Sequence, residues 1–323
     1  MMRVGVIGLG SHGQRYARHV AQDVDGMTLS AVCRRDASEA ARLGRELSAA
    51  WFTEPSGLLD SPDVDVVVIV TPPATHLELA RLALERRKPV LLEKPLTHTL
   101  ESARELEQLV ETTHTPLFLA QTLRYSPSLQ LARRELERIG GVRALTASQR
   151  LPHTDLAWQN RATPHPLGSV LNTGVHLYDL VRWMLGAEFD AVYCTAYKVE
   201  NRHHEDLFKV QATLRDRETL VALEIAKCTR SRSSNLELVG ERGQLWVDYH
   251  FDRVELVVGS KRHELRQAQP EYTLPRVLRD FQRHVETGMG MPITAHDGVR
   301  TLEVVDACYR SMRSGRAQSV SGA

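Results

Sequence analysis

Two rhythms of apolar positions divide the chain. In the first third, short unbroken apolar runs alternate with stretches whose apolar positions recur every three or four residues. The runs "RVGVIGLG" (3–10), "MTLSAVC" (27–33), "DVVVIV" (65–70), "PVLLE" (89–93) and "PLFLAQ" (116–121) predict strands. The β-branched run at 65–70 has no polar face, as expected of a strand covered on both sides. Between the runs, 11–24, 36–47, 76–87 and 101–113 carry helical periodicity. Asp36 and Glu39 stand three apart at the start of the second of these, a capping-box spacing. Strand and helix in alternation predict a parallel sheet with right-handed crossovers.

After about residue 123 the pattern changes. "VRALTASQR" (142–150) reads as a strand and 170–186 as a buried helix. Then come six long strand-like segments within 189–259, separated by the turn signals "RDRE", "GERG" and "GSKR". Two helices, 274–288 and 298–315, close the chain. The predicted class is α/β. It comprises an N-terminal dinucleotide-binding domain (1–122) on a parallel sheet and a C-terminal α+β domain (123–323) on a large, open, mainly antiparallel sheet. An open face on such a sheet implies a covering partner, a second copy of the chain forming a homodimer or homotetramer.

The junction of the first strand and helix is chemically specific. Gly8, Leu9, Gly10, Ser11, His12 and Gly13 form a Gly-x-Gly-x-x-Gly turn between a strand and a helix, the setting of a Rossmann dinucleotide site. Gly8 permits the tight turn and Gly10 the approach of a pyrophosphate. Gly13 packs helix on strand, and the helix N-terminus receives the phosphates. The second strand ends in Cys33, Arg34 and Arg35, where an acidic residue would bind the adenine ribose hydroxyls. Guanidinium groups suit a 2′-phosphate, so NADP(H) is expected ahead of NAD(H). Thr71, Pro72 and Pro73 end the third strand-like run, and His76 opens the next helix. All four are assigned to the lining of the cofactor.

Composition narrows the partners. The 323 residues carry 41 Lys+Arg against 40 Asp+Glu, a net charge of +1. That balance argues against nucleic acid or an anionic membrane surface. Four scattered cysteines suggest reduced thiols rather than disulfides or zinc. No apolar run has the length of a membrane span, and no signal peptide is evident, so a cytoplasmic location is expected.

At "LLEKPL" (91–96) the chain resembles the Gfo/Idh/MocA family of nicotinamide-dependent oxidoreductases. The resemblance rests on Glu93-Lys94-Pro95 at a strand end and on the distant "GSVLNTGVHLYDL" (168–180). The latter is similar to the family's Gly-Gly…Asp-x-Gly-x-His-x-x-Asp segment. It implies a Rossmann domain followed by an α/β domain with an open sheet, assembled as dimers or tetramers. By the same resemblance, Lys94 lies beside the nicotinamide and polarises the substrate oxygen. Glu93 fixes that lysine and contacts the cofactor, and Pro95 follows a cis peptide. His176 takes or returns the hydroxyl proton.

Asn172, His176 and Asp179 stand at i, i+4 and i+7, one stripe on a continuous helix. The position of Asn172 is commonly an aspartate in the family. An amide binds a hydroxyl but neither accepts a proton nor stabilises an imidazolium by charge. A structural ladder capped by Asn172 is the competing reading of the stripe. Substrate-binding candidates are Asn172, Arg124, Tyr125, Trp158 and Arg161, the last two in the polar loop 151–168. Gln121 is assigned to the cofactor. His203 and His204 in "NRHHED" lack metal-ligand spacing, and no metal is expected.

The function expected is a dehydrogenase or reductase acting on a hydroxyl or carbonyl of a sugar, cyclitol or related small molecule. Two alternatives stay open. One is a non-catalytic dinucleotide-bound sensor. The other is a redox-neutral glycoside hydrolase or epimerase that uses the cofactor transiently.

Overall fold

The computed structural model describes residues 1–153, 167–265, 272–290 and 293–320. The chain separates into two compact units. One comprises Met1–Gln121 with Tyr272–Val299, the other Thr122–Glu271 with Arg300–Ala323.

The first unit contains β1 (Met2–Ile7), β2 (Met27–Cys33), β3 (Ala50–Phe52), β4 (Val66–Ile69), β5 (Val90–Glu93) and β6 (Leu117–Ala120). They form one parallel sheet in the order β3-β2-β1-β4-β5-β6. The sequence order reverses between β1 and β4, which is the switch point where doubly wound folds bind ligands. β4, β5 and β6 are buried at every position, which is why their sequences lack alternation. The helix Ser11–Gln22 turns Tyr16, Ala17 and Val20 inward. The late helix Thr273–Thr287 also belongs to this unit, where Phe281 meets Phe118 edge-on at 6.2 Å between centroids. β3 has only three residues, too few to show periodicity.

The second unit contains β7 (Val142–Pro152), β8 (Phe189–Tyr197), β9 (Leu207–Leu214), β10 (Arg217–Thr229), β11 (Ser233–Gly240) and β12 (Gly243–Asp248). Beyond them come β13 (Arg253–Val258), β14 (Lys261–Leu265) and β15 (Gln318–Ser319). The sheet runs β14-β13-β12-β11-β7-β10-β9-β8-β15, antiparallel except where β7 lies parallel to β10. Register fixes its two faces. Val192, Ala212, Val221, Leu145, Leu238, Leu245 and Leu256 form one buried rung across seven strands. One residue along, the opposite face reads Tyr193, Gln211, Ala222, Thr146, Glu237, Trp246 and Glu255. The strand period of two thus places a wholly apolar row under a mixed outer row. Tyr193, Leu220 and Trp246 are exposed on that outer face.

The segment predicted as one helix over 170–186 is broken. Ser169–Asn172 is a single turn and Gly174–Leu185 a separate helix, with Thr173 between them at φ −113° and ψ −36°. Thr and Gly are poor helix formers. Gly174 also has a packing role, since a Cβ there would come within 2.7 Å of the Tyr178 hydroxyl. Asn172 and His176 therefore do not share a continuous helical stripe.

Candidate functional site

The first unit gathers its candidates at the carboxyl ends of β1, β4 and β5. Gly8 has φ +97°, a conformation that L side chains rarely adopt, and a Cβ there would lie 2.6 Å from the Val70 carbonyl oxygen. A Cβ on Gly13 would strike the Gly8 carbonyl. Gly10 is different, with open space in front of it for at least 4 Å. It is the N-cap of the Ser11–Gln22 helix, whose first turn has neither a side-chain cap nor an acidic residue. Helix-terminal N–H groups beside an open cradle suit a dinucleotide pyrophosphate.

At the end of β2, Arg34 is half-buried and donates from Nη1 to the Leu9 carbonyl at 2.6 Å, so its guanidinium lies against the glycine turn. Arg35 is exposed. The Asp36 carboxylate accepts from the Glu39 amide at 3.0 Å and the Ser38 hydroxyl at 2.7 Å, capping the next helix as its spacing predicts.

Lys94 follows β5 and is half-buried; the Lys94–Pro95 bond is cis, as expected. Burial holds the ammonium below its ordinary pKa range, against the opposing charge of Glu93. Glu93 is buried and accepts from the Tyr16 hydroxyl at 2.8 Å, with His12 Nε2 at 3.5 Å. Burial disfavours its charge. The hydrogen bond and charge of His12, the charge of Lys94 and the Tyr16 hydroxyl outweigh that and hold Glu93 below the usual carboxylate range. His12 and Tyr16 lie one turn apart on the same helix, so the glycine-turn helix anchors the carboxylate beside Lys94. Tyr16 is absent from the sequence-derived candidates. Its i+4 spacing from His12 was the available signal.

His76 is fully buried. Its Nδ1 lies 2.9 Å from the Pro95 carbonyl and its Nε2 2.9 Å from the Thr71 carbonyl. Burial lowers its pKa. It joins the turn after β4, with half-buried Thr71 and Pro72 and buried Pro73, to the turn that carries Lys94. Gln121, after β6, is also buried.

In the second unit one fact stands out around the broken helix. From Leu167 to Arg182 every residue is buried except His176, which is half-buried. The polar neighbours are committed elsewhere. Asn172 donates from Nδ2 to the carbonyls of Leu167 and Gly168, the latter at 3.2 Å. Asp179 is buried and receives the Arg124 guanidinium as a fork, Nε at 2.8 Å and Nη2 at 2.6 Å, with the Arg124 side chain only slightly exposed. Tyr125 is buried beside it in sequence. Trp158 and Arg161 lie outside the described residues. Among the described residues no group of three or more His, Cys, Asp or Glu is arranged to hold a metal, and no helix is long and apolar enough to cross a membrane. The segment "NRHHED" has a structural use instead. Asp206 accepts the amides of Val199, Glu200 and Asn201 at 2.7–2.8 Å, and Glu205 reaches the start of the His176 segment.

Residues 2–121 match the oxidoreductase family model for an NAD-binding Rossmann fold, and residues 130–321 match that family's C-terminal alpha/beta domain. The chain belongs to the Gfo/Idh/MocA oxidoreductase family. A scyllo-inositol 2-dehydrogenase (NAD(+)) of Bacillus subtilis is 30% identical across 97% of this chain and 95% of its own. Inositol 2-dehydrogenase 2 of Saccharopolyspora erythraea is 28% identical across 99% and 95%. Among solved structures of the fold, scyllo-inositol dehydrogenase of Lactobacillus casei, with bound NAD(H) and scyllo-inositol, superposes with a TM-score of 0.86. It is 19% identical over 100% of both chains. A UDP-N-acetylglucosamine 3-dehydrogenase from Acidithiobacillus ferrooxidans gives 0.85, at 23% identity over 97% of this chain and 98% of that one.

Proposed function

We propose that the protein is a dehydrogenase or reductase acting on a CH–OH or carbonyl carbon of a cyclitol, sugar or related polyol, with NADP(H) preferred over NAD(H). The observation that carries the reading is that His176 is half-buried on a segment whose other residues from Leu167 to Arg182 are buried. A proton carrier has to meet a substrate hydroxyl, so it stands where such a segment is not fully closed over. The relatives named inositol 2-dehydrogenase support the substrate class.

The bound dinucleotide supplies the hydride acceptor or donor at its nicotinamide ring. Every other task falls to the chain. The backbone from Gly8 to Gly13, Leu9, Ser11 and His12 included, holds the pyrophosphate at the helix N-terminus. Arg34 and Arg35 face the 2′-phosphate, while Asp36 is taken up by its cap. Thr71, Pro72, Pro73 and Gln121 line the cofactor, with His76 bracing two of the turns from behind. Glu93, pinned by Tyr16 and His12, holds the charge of Lys94 in place.

Lys94 polarises the substrate oxygen and stabilises the alkoxide that develops there. Its lowered pKa suits a group that also hands on a proton. Neutral His176 accepts the hydroxyl proton during oxidation and returns it during reduction. Asn172 meets substrate as a neutral amide, already oriented by two backbone carbonyls. Tyr125, Trp158 and Arg161 add polyol contacts, and Arg124 contributes through its fork with Asp179. The outer face of the nine-stranded sheet, with Tyr193, Leu220 and Trp246, pairs copies of the chain into a homodimer or homotetramer.

His176→Ala tests the reading. It should lower turnover by roughly 10²–10⁴-fold, the scale of a lost general acid/base, and leave dinucleotide binding unchanged. Full turnover in that variant would overturn it.

A further inference from the structure

We propose that Glu205 is a positioning residue for the Asn172–His176 segment. Its backbone carbonyl and its carboxylate together fix where that segment begins, and hence where the His176 imidazole points. The catalytic part of this inference rests on the reading of His176 given above.

Glu205 lies in the loop between β8 and β9 and is 7% exposed. Its carbonyl accepts the Ser169 amide at 2.8 Å. Its Oε1 accepts the Val170 amide at 3.1 Å and the Tyr309 hydroxyl at 2.8 Å. The first turn of a helix has N–H groups with no partner in the helix itself. Here Gly168 stands at the N-cap and has no side chain to offer, and a residue more than thirty positions downstream takes over that task.

Gly168 shows how close the fit is. A Cβ there would lie 2.1–2.2 Å from the Glu205 carboxylate carbon and both its oxygens, so the carboxylate lies flat on the Gly168 Cα. The backbone at Gly168 is extended, φ −76° and ψ −170°, a conformation open to any residue. The glycine is therefore required for room and not for its angles.

The constraint passes along the chain by contiguous bonds. The Gly168 carbonyl accepts from the Asn172 amide at 2.9 Å and from the Asn172 side chain. The Thr173 carbonyl, one residue on, accepts the His176 amide at 3.1 Å. The loop that presents Glu205 is itself held by Asp206 on three backbone amides. Burial pushes the Glu205 carboxyl above its ordinary range, partly offset by the Tyr309 hydroxyl. What the position needs is thus an acceptor oxygen, and a glutamine supplies one.

The test combines Glu205→Ala, Glu205→Gln, Gly168→Ala and the double variant Glu205→Ala/Gly168→Ala. Each is measured for kcat, for KM of polyol and dinucleotide, and for amide hydrogen exchange across 168–173. Misplacement of a catalytic group by about an ångström costs up to roughly 100-fold. Glu205→Ala should therefore lower kcat by about 10–100-fold, leave the dinucleotide KM unchanged and raise exchange at 168–173. Glu205→Gln should stay within about threefold of the wild type, since it keeps the acceptor.

Gly168→Ala should be as damaging as Glu205→Ala. The double variant should be no worse than either, because the shortened side chain makes room for the new methyl. A role in stability alone would lower the melting temperature and leave kcat per folded molecule intact, which would overturn the proposal. So would multiplying losses in the double variant, or unchanged exchange in Glu205→Ala. If Glu205→Ala does not fold, Glu205→Gln and Gly168→Ala decide by the same criteria. If His176→Ala retains full turnover, the catalytic reading of His176 fails, and the exchange data still decide whether the clamp exists.

Discussion

Replacing Asn172 by aspartate installs the residue that the motif resemblance implies at this position, and that resemblance alone suggests a harmless or helpful change. The structure predicts the opposite. The Asn172 Nδ2 donates to the carbonyls of Leu167 and Gly168 inside a buried segment. A carboxylate oxygen there would face two acceptors and donate to neither. The Gly168 carbonyl keeps the Asn172 amide, so the Leu167 carbonyl is the one left without its donor, at a cost of about 1–3 kcal/mol. The new carboxyl has one escape, which is to hold a proton and donate to one carbonyl. Raising its pKa from about 3.9 to about 7 costs roughly 4 kcal/mol at about 1.36 kcal/mol per unit. That route sets a ceiling, so the expected destabilisation near neutral pH is about 1–4 kcal/mol.

The sign with pH follows from linkage. The introduced group has a folded-state pKa raised above its unfolded value. The variant therefore comes closest to wild type in acid and loses stability as pH rises through that interval. Thermal unfolding of Asn172→Asp and Asn172→Ala, from about pH 4.5 to about pH 8, measures this against the ordinary aspartate range. Asn172→Ala should show a deficit that does not vary with pH. An Asn172→Asp protein as stable as wild type at neutral pH, with no pH dependence to its deficit, would refute the reasoning.

Arg35→Ala should weaken NADPH by about 10–100-fold, the scale of a lost charge-assisted contact, and leave NADH unchanged. Arg34→Ala should weaken both, because Arg34 also holds the Leu9 carbonyl; titration giving equal losses for Arg35→Ala would refute the 2′-phosphate assignment. Tyr16→Phe removes a donor from Glu93, whose folded pKa lies below its ordinary value of 4.5. A depressed carboxylate stabilises the fold above its unfolded pKa and loses that contribution as pH falls through the folded one. The variant's deficit in thermal unfolding should thus be largest near neutrality and close in acid, and a deficit that grows in acid would contradict it. Light scattering at micromolar concentration should give a mass at least twice the 36.3 kDa of the chain, and a monomer would contradict pairing through the open sheet.

Elements whose pattern reflects burial were legible from sequence. β2 occupies the predicted run 27–33, and the Asp36 cap forms as its spacing indicates. The glycine turn, the cis bond before Pro95 and the family itself were likewise readable from short motifs. Two short strands, β3 and β15, were not, since three and two residues carry no period. The break at Thr173 was missed because apolar spacing continues through it. What interrupts the helix is a side chain turning back to Leu167 and Gly168 and a ring packed on Gly174. Glu205 was read as part of a polar loop for a similar reason. Its work depends on a strand connection that places residue 205 beside residue 168, and no local pattern reports that.

The central claim is net hydride transfer from a polyol carbon with His176 as the proton carrier. The most direct measurement is the reduced-nicotinamide absorbance of wild type and His176→Ala, each with NADP⁺ and NAD⁺, over a panel of inositols and sugars. Absorbance should grow with at least one polyol, faster with NADP⁺. In His176→Ala the rate should be roughly 10²–10⁴-fold lower, while the dinucleotide still binds. Product formed without any net change in that band, or equal rates in the two proteins, would contradict it.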